Sequence, residues 1–115
     1  MAVHFHCEDP QGLLAAYNDR ITQTEAKEKI TTWQLHTDGI HYTHRAADWT
    51  RKAWFKARVS ADTLTFHIVR TQDQNVTTIA YAYYHGHLIE TFLAHFDHMF
   101  SSAQATALPV TGDVV

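Results

Sequence analysis

The sequence predicts an α+β domain, in which a five-stranded, mainly antiparallel meander sheet carries an N-terminal and a C-terminal helix packed on one face. Three observations lead there. Apolar residues recur at helical spacing near both ends of the chain, the period shortens to two in the middle, and an Asp-Gly pair marks a tight reversal inside the alternating stretch. The 115 residues, 45% of them hydrophobic, suit one core. The expected organisation is a single domain over residues 1–107 followed by a flexible tail over 108–115.

Asp9-Pro10 opens the first helix, because aspartate is a good N-cap and proline costs nothing at the first helical position. Leu13, Leu14, Tyr17 and Ile21 give that helix a buried stripe, and Glu25 and Lys29 would pair one turn apart if it ran that far. Alternation begins at Thr31. Asp38-Gly39 suits a two-residue hairpin turn, and counting outward from it sets Thr37 opposite Ile40, His36 opposite His41, Leu35 opposite Tyr42 and Trp33 opposite His44. Trp33, Leu35, Ile40 and Tyr42 then share an apolar face, while Gln34, His36, His41 and Thr43 share the polar one.

In a second hairpin Ala53, Phe55, Ala57 and Val59 alternate with Trp54, Lys56 and Arg58. Its turn falls near Ser60 to Thr63, and Leu64, Phe66 and Ile68 return on the apolar side. Residues Val76 to Tyr84 also alternate and predict a fifth strand, with Ala80 and Ala82 small enough to lie under a helix. Gly86 ends that strand. Leu88, Ile89, Phe92, Leu93, Phe96, Met99, Phe100 and Ala103 then predict the closing helix.

The formal charge of −3 argues against a strong general attraction to nucleic acid or membrane. It is unevenly spread. Between Arg45 and Arg58 five basic residues face Asp48 alone, a local +4 that leaves −7 for the rest. A lone cysteine, Cys7, demands no oxidising compartment, and neither a secretory signal nor a membrane-spanning stretch is visible, so the expected location is the cytoplasm. Leu108-Pro109-Val110-Thr111-Gly112 resembles the Leu-Pro-x-Thr-Gly sorting motif of sortase-anchored surface proteins. The resemblance covers five residues, and the hydrophobic segment and basic tail that such a signal requires do not follow it, so it is read as a coincidence.

Ten histidines dominate the candidate chemistry. His36 and His41, opposed across a hairpin, are placed to share a ligand, although two imidazoles fall short of a zinc site, and solvated polar strand residues are the preferred reading. His85 and His87 flank Gly86 where a strand is expected to enter a helix N-terminus, a place that attracts anions. His95 and His98 are the weak metal candidates, at a spacing unlike that of the metalloproteases. His4, His6, His44 and His67 carry no functional weight. Cys7 is no partner for His6, since adjacent strand residues point to opposite faces.

Trp54 alternates with Lys56 and Arg58 on the outward face of the second hairpin, with Val69 expected beside Trp54. Such a stretch can hold single-stranded nucleic acid, but one ring and an acidic remainder argue against that partner. An apolar spot ringed by charge is instead the layout of a protein interface. The reading is therefore a non-enzymatic module that binds a protein partner or itself, with a histidine-based metal or small-ligand site second, and with no cofactor. Protein purified without a histidine tag is expected to carry no stoichiometric metal. Elemental analysis finding near one equivalent of zinc, iron, copper or nickel, lost on replacing His95 and His98 or His36 and His41, would reverse that ranking.

Overall fold

The computed structural model describes all 115 residues. It is an α+β fold of six strands and two helices: β1 (Ala2–His6), α1 (Pro10–Thr22), β2 (Trp33–Leu35), β3 (His41–His44), β4 (Trp54–Val59), β5 (Thr63–Val69), α2 (Thr78–Phe96) and β6 (Ser102–Ala105). The sheet is open and antiparallel, in the order β2-β3-β4-β5-β1-β6. No helix is long and apolar enough to cross a membrane.

Helix α1 begins as its cap residues dictate. The Gly12 N–H donates to the Asp9 carboxylate at 3.0 Å, Pro10 occupies the first turn, and Leu13, Tyr17 and Ile21 are buried. The helix stops at Thr22, so Glu25 and Lys29 lie beyond it and form no helical pair.

The β2–β3 register is the one expected, with Trp33 opposite His44 and Leu35 opposite Tyr42. The turn that delivers it is different. Only Gly39 has positive φ (73°), the Gly39 N–H donates to the His36 carbonyl at 2.9 Å, and the His36 N–H donates to the His41 carbonyl at 2.8 Å. Residues 37–40 thus form a four-residue loop around the same pairs. Asp38 stabilises it by accepting the N–H groups of Ile40 and His41. Ile40, expected on the core face, is half exposed because it sits in this loop. The β4–β5 hairpin pairs Trp54 with Val69, Phe55 with Ile68, Ala57 with Phe66 and Arg58 with Thr65.

The expected fifth strand over Val76 to Tyr84 is instead the first half of α2. Thr77 is the N-cap, its hydroxyl accepting the Ala80 N–H at 3.0 Å, and Ala80, Tyr81, Tyr84, Leu88, Thr91, Phe92 and Phe96 form one buried stripe. The stretch alternates because Ala80 and Ala82 fall on one parity and Tyr81 and Tyr83 on the other, and the same residues also satisfy the helical period. Gly86 ends nothing and lies exposed within the helix. The meander is confined to β2 through β5. The sheet is completed by β1, which lies beside β5, and by β6, which lies beside β1 at the edge.

Both helices cover one face of this sheet. Tyr17 of α1 packs on Tyr42, Phe66 and Phe92, while Phe92 of α2 stacks on Phe5 at 4.1 Å and Tyr84 packs against Trp33 and Phe55. The opposite face has no helix. Over its β1 and β5 portion lies the segment after β6: the Asp113 carboxylate, whose side chain is fully buried, meets His67 Nδ1 at 2.8 Å and the Met1 amino group at 3.0 Å. Residues 108–115, expected as a flexible tail, are held to the sheet by these contacts and by the Val114 N–H, which donates to the Ile68 carbonyl.

Gly86 offers a direct check on the reassigned helix, since a Cβ added there meets nothing within 4 Å. Gly86→Ala is expected to stabilise the fold by about 0.5–1 kcal/mol in urea unfolding, the ordinary helical preference for alanine. A destabilised variant would restore the strand-ending role.

Candidate functional site

The uncovered sheet face brings together two groups of residues that stand apart in the sequence. Trp54 opens β4 beside Val69, and the β2–β3 hairpin brings the His36 ring to 4.9 Å and the His41 ring to 6.4 Å from it. The Arg51 guanidinium lies 5.8 Å from the Trp54 ring centre. With Arg70 and the polar residues 71–74 these side chains line a cleft of about 510 Å³.

Local backbone chemistry positions each member. Arg51 takes a left-handed conformation (φ 59°), uncommon for a residue with a Cβ, and its N–H donates to the buried Thr43 hydroxyl at 2.9 Å. This fixes the loop so that the guanidinium reaches the tryptophan. On the other wall, His41 Nδ1 lies 2.7 Å from the Asp38 carboxylate. The Asp38 pKa is held down to about 2, chiefly by the Ile40 N–H and further by His41. Asp38 therefore orients one imidazole instead of lying free in the cleft.

The remaining candidates fall elsewhere. Lys56 and Arg58 are exposed on the same face, Lys56 directly opposite His41 and Arg58 farther along β4. His85 and His87 sit in the middle of α2, where the backbone N–H groups are already paired within the helix, so the anion site expected from a helix N-terminus does not form there. The His85 ring stacks on Tyr81 and the His87 ring on Tyr83. Helix α2 ends at Phe96, which leaves His98 beyond it and separates it from any shared helical face with His95. No group of three or more histidine, cysteine, aspartate or glutamate side chains is arranged to hold a metal ion. Cys7 is buried, and burial raises its thiol pKa, which works against a nucleophilic role.

Two histidines given no weight in the sequence occupy built surroundings. His67 faces Asp113, as described above. His44 lies among Trp33, Tyr83 and His87, with ring separations of 5.2, 4.9 and 5.0 Å. Its Nδ1 accepts the Ala46 N–H at 3.0 Å, so a neutral ring carries its proton on Nε2, which is buried without a partner. Long-range packing creates both surroundings, and no local pattern signals them.

Comparison with protein-family models, with curated proteins and with solved structures returned no match.

Burial, aided by the neighbouring His87, lowers the His44 pKa to about 4 from 6.5. The unfolded chain then binds a proton that the folded one resists, so this contribution is complete above about pH 6.5 and declines as pH falls toward 4. Urea midpoints are expected to drop between pH 7 and pH 4.5 more steeply in the wild type than in His44→Phe, with His4 and His95, also lowered by burial, sharing the trend. Equal slopes would remove His44 from the acid response.

Proposed function

We propose that the protein is a non-enzymatic binding module whose recognition surface is the Trp54 cleft, and that its partner is an acidic protein segment. The observation that carries this reading is the convergence of Trp54 and Val69 with Arg51, Arg70, His36 and His41 on the one sheet face that no helix covers. Tryptophan and arginine are the side chains that most often anchor interfaces, because each contributes a large contact area together with a donor.

Charge selects the partner. Arg51, Arg70, Lys56 and Arg58 make no ion pair within the chain; of the two carboxylates lining the cleft, Asp38 is engaged by its own loop and by His41, which leaves Asp73 as the one acid set against these four cations. A carboxylate-bearing segment would supply the missing counter-charges, and an apolar residue within it would lie against Trp54 and Val69. Self-association is the competing outcome of the test, since the exposed Val114 bridges to Val69 and the exposed Ile40 lies in the loop between His36 and His41, both beside Trp54, whereas Ile79 and Leu93 lie on α2. The single cysteine, without a disulfide partner, supports a reducing compartment such as the cytoplasm.

A short glutamate-rich peptide with a central phenylalanine, titrated into labelled protein and followed by amide and indole NMR, is expected to shift Trp54, Val69 and Arg51 saturably. Trp54→Ala should weaken binding by about 2 kcal/mol, roughly thirtyfold. Arg51→Gly should also weaken it while leaving stability equal or higher, because glycine accepts positive φ without strain. Three results would overturn the reading: equal binding of a lysine-rich counterpart, tighter binding of a single-stranded oligonucleotide, or a sedimenting dimer that Trp54→Glu dissolves.

A further inference from the structure

A second concavity on the same face has a different chemistry and stands independently of the Trp54 reading. Where β1, β5 and β4 run side by side, the registers set His4 opposite Thr65 and Thr65 opposite Arg58, a row of three side chains across three strands. His67 projects from β5 two residues further on, toward the same side. The segment after β6 closes this end. Gly112 lies flat against the His67 ring, so close that a Cβ would come within 2.6 Å of it, and its φ of 105° suits glycine alone. Thr111 thereby becomes a wall of a cleft of about 510 Å³ whose floor is the sheet.

The donors in this cleft are unbalanced. The Arg58 side chain makes no ion pair and no hydrogen bond within the chain. His4 Nδ1 is 2.8 Å from the Thr65 hydroxyl and His67 Nδ1 is 2.8 Å from Asp113, so each ring is fixed through one nitrogen and keeps Nε2 free. Ser60, Thr63, Thr65 and Thr111 with the apolar Val110 complete the lining, and no carboxylate belongs to it. Two acids touch lining residues: Asp62 accepts the Thr63 hydroxyl at 3.1 Å, and Asp113 has both oxygens occupied. Oδ1 faces His67, while Oδ2 takes the Val110 N–H at 2.9 Å and the Met1 amino group at 3.0 Å. Burial alone would raise its pKa, and these hydrogen bonds outweigh that effect and lower it, so its charge is engaged by its own partners within the segment that walls the cleft.

We propose that the cleft formed by His4, Arg58, Thr65, His67 and Thr111 is a binding site for a phosphate group, either inorganic phosphate or a phosphate monoester. A tetrahedral oxyanion offers several acceptor oxygens at once. The guanidinium fork, the hydroxyls and a protonated imidazole are the donors that match it, and the fork gives the geometry its direction. A carboxylate would leave part of this donor set unused. The Asp113 to His67 contact acts as positioning, since it fixes the ring that borders the cleft and holds the Gly112 turn that forms the wall.

His4 is the titrating element of the site. Burial first and the nearby His67 second lower its pKa, and a bound dianion would favour its protonated form. The other charged and titratable groups around it are His6 on β1, His67 on β5, Lys56 and Arg58 on β4, and Asp113 with the Met1 amino group behind. Sulfate keeps a constant charge across the accessible range, so sulfate binding should strengthen as pH falls through the His4 transition.

The test uses the full chain, titrated with inorganic phosphate at constant ionic strength and followed by amide, imidazole and guanidinium NMR. The expected result is one saturable process that moves His4, Arg58, Thr65, His67 and Thr111 together, with phenyl phosphate competing for the same resonances. Tighter binding of phenyl phosphate would assign the site to a phosphorylated ligand, and tighter binding of the inorganic ion to free phosphate, and both uphold it. Arg58→Gln, at an exposed position that leaves the core untouched, should weaken binding at least tenfold. Thr65→Val and His4→Gln should weaken it less, and His4→Gln should flatten the pH dependence of sulfate binding. Trp54→Ala and Arg51→Gly should leave it unchanged, which separates failure of this site from failure of the Trp54 cleft. Non-saturating shifts spread over all basic residues, acetate binding as tightly as phosphate, or undiminished binding by a folded Arg58→Gln would overturn the proposal.

Discussion

Everything in this fold depends on the aromatic contact between one face of the sheet and the two helices above it. Phe5, Tyr42, Phe55 and Phe66 rise from four strands, and Tyr17, Tyr84 and Phe92 descend from α1 and α2 to meet them. Each such ring removes a large apolar area from water, and edge-to-face or offset packing adds about 0.5–1.5 kcal/mol per pair beyond that burial. Because alternation places every second strand residue on the opposite side, committing these rings to one face commits Trp54, Lys56, Arg58, His4 and His67 to the other. The chemistry of the uncovered face is thus a consequence of where the core lies.

That face is not uniform. At the β2–β3 end it is shaped by a hairpin loop and by the left-handed Arg51, which gather imidazoles and guanidinium around one indole. At the β1 and β5 end it is shaped by the final segment of the chain, which docks through a buried carboxylate and presses a glycine against an imidazole. Two clefts result, one with an aromatic wall and the other lined by hydroxyls and cations. They are separated by the exposed Lys56 and lie on strands that share a continuous hydrogen-bonded ladder, so neither depends on a mobile element for its floor.

Parts of this arrangement were legible in local sequence because their causes are local. Asp9-Pro10 starts a helix by side-chain capping and fixed φ, and the residues around Asp38-Gly39 set a register even though the turn adopted has four residues in place of two. The pairing of Trp54 with Val69 followed from alternation alone. The stretch from Val76 to Tyr84 misled because alanine and tyrosine satisfy both a period of two and a period of 3.6, and because Gly86 suggested a break that an exposed helical site tolerates. Strand β6 gave no signal, since its Ser-Ala-Gln-Ala buries little and is held by edge pairing to β1.

The amino-acid sequence by itself determined the class of the fold, the start of α1, the registers of both hairpins and the outward placement of Trp54, Lys56 and Arg58. These follow from caps, turn residues and periodicity, which act over a few residues. Only the tertiary structure decided that residues 78–96 are one helix, that β1 and β6 complete the sheet, that His85 and His87 have no free helix terminus beside them, and that His36 and His41 meet Trp54 and Arg51. It alone brought His4, Arg58 and His67 together under Thr111. Those contacts join residues distant in the chain, and their free energy comes from the shared aromatic core, whose partners cannot be read from any single window of sequence.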